Sequence, residues 1–296
     1  MAFLASTEAL LRIAVVPKDI RLKHYELFEN STARNAAFGD SQMAATITGV
    51  PGFMNFAYGG ENFVITEYRV RKYFSDRKPG RVIIQANPNN FATYKEDMAT
   101  SNWTTRYIAG LDKVHDTIFL STLPLFRMYI WEYWKTALTR GAFESTVYLT
   151  KDGARFTRPE AKKPLTDKQF MREARKYFRS RSPSADFRHE ATYRSFLSVL
   201  TFLKVRGADV CLVTTPFAKD YRRLVVDSPV IQQIFADFDA LAHSYGFRRF
   251  NAWNAANDNR MFANTDHLNE VGAQAVTPLI MAGCFGDQST GARGPS

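Results

Sequence analysis

The sequence predicts an α/β fold: a three-layer α/β/α sandwich on a flavodoxin-like, mainly parallel sheet of about five strands. Three observations point to it. Apolar runs at 34–38, 81–86 and Asp209–Thr214 are continuous rather than alternating, as strands buried on both faces are. Stretches of helical period separate and follow them. The runs end in turn-forming residues, where open parallel sheets place their chemistry.

Taken in order, residues 1–33 form an N-terminal lead-in. Its first sixteen residues are apolar but carry Glu8 and Arg12. They read as an amphipathic helix, or as the remnant of a membrane anchor, and show no targeting signal. Residues 17–33 are charged and mixed, and read as surface. The main unit spans 34–285. Its first strand is 34–38, and a second apolar run, 53–58, ends in Gly59-Gly60. Residues 61–77 show an imperfect helical stripe at Phe63, Val70 and Phe74, stopped by Pro79-Gly80. The run at 81–86 is rich in β-branched residues and supplies the third strand.

The alternation then stops. Residues 93–190 read as a helical insertion, with an aromatic stretch at 125–134. A basic segment follows, carrying Lys168, Arg172, Arg175, Lys176, Arg179 and Arg181. That segment is either a solvated face or a contact for an acidic polymer or membrane surface. After it, Tyr193, Phe196, Leu197, Leu200 and Leu203 recur at helical spacing up to Gly207, and Asp209–Thr214 is the fourth strand. Ser228-Pro229 is a helix start with proline in the first turn. The apolar face that follows ends at Gly246. A weaker strand at 248–252 and a helix at 268–282 complete the unit. Residues 286–296 read as a flexible Gly/Ser-rich tail.

Composition sets limits. The chain has 296 residues, 45% hydrophobic and 14% aromatic, enough for one large core with an insertion and unlike a disordered chain. Its net charge of +10 favours anionic partners or serves solubility. No zinc-finger spacing or nucleic-acid recognition motif accompanies the charge, so nucleic acid is not expected. Neither of the two cysteines points to a metal site or disulfide framework. Cys211 reads as a small buried hydrophobe, and a bond to Cys284 is left open. No metal or cofactor is implied.

Gly39-Asp40-Ser41 closes the first strand and would expose Ser41 at its carboxyl end. A serine hydroxyl needs a base within reach. Among the histidines at 24, 115, 189, 243 and 267, His267 stands at the mouth of the final helix, where a loop can return to that sheet edge. Acyl transfer also needs oxyanion donors. The Ser41 N–H, the Gly60 N–H after the second strand and the Asn89 amide after the third are the candidates.

In this order the blocks resemble the SGNH, or GDSL-type, hydrolase superfamily. Gly39-Asp40-Ser41 matches its first block, 55–60 its second, and Asp266-His267-Leu268-Asn269 its last. In the third, Asn87-Pro88-Asn89-Asn90 keeps the asparagine but lacks the glycine and aspartate. The resemblance covers 35–90 and 190–283. It implies serine-dependent ester hydrolysis or O-acyl transfer, with Ser41 as nucleophile and His267 as base. The apolar lead-in and the last block are similar to the exported, membrane-anchored polysaccharide O-acetyltransferase-like branch. That likeness implies an extracytoplasmic protein acting on acylated carbohydrate, with a membrane anchor or membrane-complex partner; the charge adds acidic polysaccharide. The family acid normally stands three residues before the histidine, and here that position is Asn264. In a well-studied triad such an exchange costs about 10⁴ in rate. Three readings follow: a Ser41–His267 dyad oriented by Asn264, a substitute acid at Asp266 or Asp258, or a weakened or inactive module that binds polysaccharide or supports a cell-envelope complex.

Overall fold

A computed structural model describes residues 2–96, 130–140, 147–158 and 164–286. Its centre is a five-stranded, wholly parallel sheet of β1 (Asn35–Phe38), β2 (Phe53–Asn55), β3 (Arg81–Gln85), β6 (Asp209–Thr214) and β7 (Arg248–Asn251). The order is β2-β1-β3-β6-β7, with β1 beside β3 in the register Ala37↔Ile83, and β3 beside β6 in the register Ile83↔Cys211. This is the flavodoxin-like order, with β1 and β3 flanking the point where the connections reverse direction.

The two faces of the sheet explain its unbroken apolar strands. Ala36, Phe38, Val82, Ile84, Val210 and Leu212 point to one face; Ala37, Ile83, Cys211 and Val213 point to the other. On the first face lie α4 (Phe63–Tyr73), α7 (Ala191–Val205) and, after the short α8 (Lys219–Val225), α9 (Pro229–Tyr245), through buried Phe63, Val70, Phe196, Leu200, Ile234 and Phe238. On the second lies α10 (Glu270–Phe285), through Val276 and Ile280, with the short α3 (Ser41–Ala44) beside it. Successive residues in the middle of each central strand therefore face one helical layer or the other, so the run is apolar without alternation, and polar residues such as Gln85 and Thr214 come at the carboxyl ends.

Three features differ from the sequence reading. First, residues 17–33 are not merely surface. Residues 2–10 form α1 (Ala2–Leu10), followed by a π-helical turn with Leu11 and Val15 buried. Then α2 (Ile20–Asn30), capped by Asp19, buries Leu22, His24 and Phe28. Charges at Lys23, Glu26 and Glu29 break up this apolar stripe in the sequence. Second, the described part of the insertion holds more than α5 (Ile130–Arg140) and α6 (Asp167–Arg181). Between them β4 (Val147–Leu149) and β5 (Arg155–Thr157) form an antiparallel hairpin. Third, Cys211 on β6 and Cys284 on α10 form a disulfide, with Cα atoms 5.6 Å apart. Both face the same layer of core, which is how residues 73 positions apart meet. His115 and the first half of the aromatic stretch at 125–134 lie outside the described residues, as does the tail beyond Gly286. No helix of the described residues is long and apolar enough to cross a membrane.

Candidate active site

The carboxyl end of β1 carries Ser41. Asp40 caps α3 by accepting the Gln42 N–H at 2.9 Å, which turns the chain sharply and leaves Ser41 as the first helical residue, half-buried. The turn is tied to its neighbouring strand by a reciprocal pair. The Asp40 N–H donates to Gln85 Oε1 at 2.7 Å, and Gln85 Nε2 donates to Asp40 Oδ1 at 2.9 Å. Beneath it, Lys95 Nζ donates to Asp40 Oδ2 at 2.9 Å, and both side chains are sealed from solvent. Burial pushes the Asp40 carboxyl up, but Lys95 and the donors from Gln42 and Gln85 outweigh it and hold it below its ordinary value. Burial likewise lowers Lys95, and Asp40 reverses that to leave it raised.

His267 lies in the loop before α10. Asn264 Oδ1 accepts the N–H groups of Asp266 at 3.1 Å and His267 at 2.9 Å, so this loop is folded around one amide oxygen. The fold brings Asp266 back onto the ring. His267 Nδ1 is 2.9 Å from Asp266 Oδ1 and 3.0 Å from Asn264 Oδ1. Asn264 Oδ1 already accepts two backbone donors, so its identity as oxygen is fixed. Both neighbours of Nδ1 are then acceptors; Nδ1 carries the hydrogen, and Nε2 is left as the basic nitrogen. The other oxygen of Asp266 accepts from Gln42 Nε2 at 3.1 Å and lies 3.8 Å from Arg181. Burial opposes the charge of Asp266, but His267, Arg181 and Gln42 outweigh it and hold the carboxyl below its ordinary value. Asp258 is elsewhere: it caps a 3₁₀ turn and pairs with Arg260.

Ser41, His267 and Asn264 line one cleft of about 510 Å³ together with Tyr58, Gly59, Arg21 and Arg155. Among the described residues, Ser41 Oγ makes no hydrogen bond; nucleophile–base contacts are often long without substrate. Gly59 is the glycine against the nucleophile. A Cβ there would lie 3.6 Å from Ser41 Cβ and 2.9 Å from Arg155 Nη1. Gly60 follows it at φ +81 and is not on the cleft lining. Asn89 lies in the 3₁₀ turn Pro88–Phe91 after β3. It is buried, and neither atom of its amide has a partner among the described residues. The flanking Asn87 and Asn90 are spent on structure: Asn87 Nδ2 donates to Gln42 Oε1, and Asn90 Nδ2 to Asp40 Oδ2 at 3.3 Å.

No family model matches the sequence, and no curated protein matches it either. Among solved structures the chain is similar to a GDSL-like lipase of Bacteroides thetaiotaomicron, at 13% identity and TM-score 0.44, covering 88% of this chain and 94% of that one. It is also similar to the lipase/acylhydrolase of Enterococcus faecalis, at 12% identity and TM-score 0.39, covering 83% and 93%. At these values the likeness assigns no activity. The fold rests on the sheet order, and the chemistry on the cleft.

Three residues of this site were not legible beforehand. Gln42 bridges the nucleophile turn and the acid, yet reads as an ordinary helix residue. Gly59 is hidden in a Gly-Gly pair, either of which fits a strand-end turn. Arg155 arrives on the unforeseen hairpin, and nothing in its local sequence marks it.

Proposed function

We propose that this chain is a serine-dependent acyl-ester hydrolase or O-acyltransferase acting on O-acyl groups of carbohydrate. The observation that carries the reading is the shared cleft of Ser41 and His267, with the Asp266 carboxylate on Nδ1 of that histidine. In the first step Ser41 Oγ attacks the acyl carbonyl while His267 Nε2 takes its proton. The oxyanion is held by the Ser41 N–H and the Asn89 amide, whose buried, unpartnered state supports that role; Gly60, expected from the sequence as a third donor, lies off the cleft lining. His267 then protonates the leaving alkoxide as the ester C–O bond breaks. Water, or a sugar hydroxyl, attacks the acyl-Ser41 with His267 again as base, and Ser41 regains its proton. Asp266 keeps the imidazole in the right tautomer and stabilises its cation, the task that the SGNH resemblance assigns to the position of Asn264. Asn264 holds the loop that makes this possible.

Two further features support the finer reading. The Cys211–Cys284 disulfide fits an extracytoplasmic, oxidising location. Lys168, Arg172, Arg175, Lys176 and Arg179 are all exposed along α6, a basic stripe suited to an acidic polysaccharide. A membrane anchor or membrane-complex partner belongs to the same picture.

The test is intact mass after incubation with a neutral fluorophosphonate, on the parent and on Ser41→Ala and His267→Ala. A single adduct mapping to Ser41 is expected, with labelling about 10²-fold slower or more in His267→Ala. No adduct, where a control serine hydrolase is labelled, overturns the reading and leaves a non-catalytic module that binds polysaccharide.

A further inference from the structure

Arg155 stands in the cleft with its charge unanswered. Among the described residues its guanidinium makes no hydrogen bond and no ion pair. Its one close partner is the ring of Tyr58, whose centroid is 4.9 Å from Cζ. The second cleft arginine, Arg21, is different: it is neutralised by Asp19, its neighbour at the α2 cap. Among the described residues no carboxylate lines the cleft. An arginine stacked on an aromatic face, with its fork of donors unspent, is arranged to receive a planar anion.

The hairpin holds it there. Asp152 O accepts the Asn55 N–H at 2.7 Å, which pins the hairpin turn to the end of β2. Gly153 makes that approach possible: it has φ +91, and a Cβ on it would lie 2.2 Å from Asn55 O. Arg155 is therefore fixed in place before any ligand arrives. Its Nη1 and the Cβ of the nucleophile bound the same small space over Gly59, at 2.9 and 3.6 Å. An anion on Arg155 would thus sit next to the reacting ester rather than at a distant subsite.

We infer that Arg155 is an anion-recognition residue, and that the substrate carries a carboxylate or sulfate group close to the scissile acyl ester. This rests on the acyl-transfer reading and narrows it: bulk basic charge selects acidic polymers in general, whereas Arg155 selects a charge on the sugar unit being processed.

The experiment follows the rate at which a neutral fluorophosphonate labels Ser41, with and without glucuronate, glucose 6-sulfate or glucose, on the parent, Arg155→Met and Arg155→Lys. The readout is the protection factor, the ratio of the two rates, taken within each variant. Glucuronate or glucose 6-sulfate should protect the parent at concentrations about tenfold or more below those needed for glucose, the value of one charge-assisted hydrogen bond. That preference should vanish in Arg155→Met and survive in part in Arg155→Lys. Whichever sugar protects better identifies the anion. Equal protection by glucose, or an anion preference that persists in Arg155→Met, overturns the inference and leaves the acyl-transfer reading intact. Failure of the parent to label overturns both. Thermal melts of each variant verify that a lost preference is not lost folding.

Discussion

Gln42 Nε2 donates to Asp266 Oδ2 at 3.1 Å, joining residues 224 positions apart. Gln42 directly follows the candidate nucleophile, and Asp266 directly precedes the candidate base. The bond therefore sets the distance between the two halves of the site. Gln42 is itself held: its Nε2 also meets Tyr177 Oη at 2.9 Å, and its Oε1 accepts from Gln85 at 3.1 Å and from Asn87. A fully satisfied buried network of this kind resists rotation of any one member.

The first prediction concerns the acid. Asp266→Asn should lower kcat/KM on p-nitrophenyl acetate by about 10³–10⁴, the scale of losing a triad carboxylate. Asn264→Asp should give no comparable gain, because a carboxylate already occupies Nδ1. A near-silent Asp266→Asn together with a large gain in Asn264→Asp would reverse the roles assigned to the two residues.

The second concerns the ion pair beneath Ser41. Lys95→Met leaves the Asp40 carboxylate buried and unpaired, at a cost of about 3–5 kcal/mol in urea unfolding. The pH dependence should change with it. In the parent, Asp40 is lowered, so its contribution is present above the unfolded carboxylate value of about 4 and is lost as pH falls through the lower folded value. Lys95 is raised, so its share is present below about 10 and is lost only above that. The pair's contribution should be flat between those limits. In the variant only the donors from Gln42, Gln85 and Asn90 oppose burial, so Asp40 rises from its parent position and the stability gained as pH climbs through the acid range should shrink or reverse. Parallel stability–pH curves for parent and variant would contradict this.

The third concerns the hairpin. Gly153→Ala forces a side chain into positive φ, at about 1–3 kcal/mol, and into the Asn55 carbonyl. Hydrogen exchange should show the 147–157 amides opening sooner, with β1, β3 and β6 unchanged. Uniform loss of protection across the sheet would show that the hairpin is integral to the core rather than docked on it.

The fourth concerns the disulfide. Cys211→Ala with Cys284→Ala should lower stability by about 4 kcal/mol, the chain-entropy value for a loop of this length. Esterase activity at 25 °C should persist, because neither cysteine lines the cleft. Unchanged unfolding in the double variant would mean that the cross-link adds nothing to the core already packed around it.

The strands were readable because helices cover both faces of the sheet, so successive residues in mid-strand are apolar whichever way they point. Pro229 and Gly246 bracketed α9 for equally local reasons. The hairpin escaped notice because three-residue strands such as Val147–Leu149 are too short for any period to show. The role of Asp266 was harder still. Consecutive side chains normally diverge, and only the Asn264 oxygen, gathering two backbone amides, bends the acid back onto its neighbour. The Cys211–Cys284 bond depends on which sheet face α10 covers, a tertiary fact that cysteine spacing does not carry.

The long interval between Gln42 and Asp266 also fixes a sequence of events in time. A chain emerging from the ribosome presents β1, with Ser41, more than 200 residues before the loop that carries His267. At 5–20 residues per second, the nucleophile exists for on the order of ten seconds or more before its base is made. Through that interval the serine is an ordinary hydroxyl, unable to attack the esters around the nascent chain. On the acyl-transfer reading, ester chemistry waits until α10 docks beside the sheet and brings His267 to Ser41.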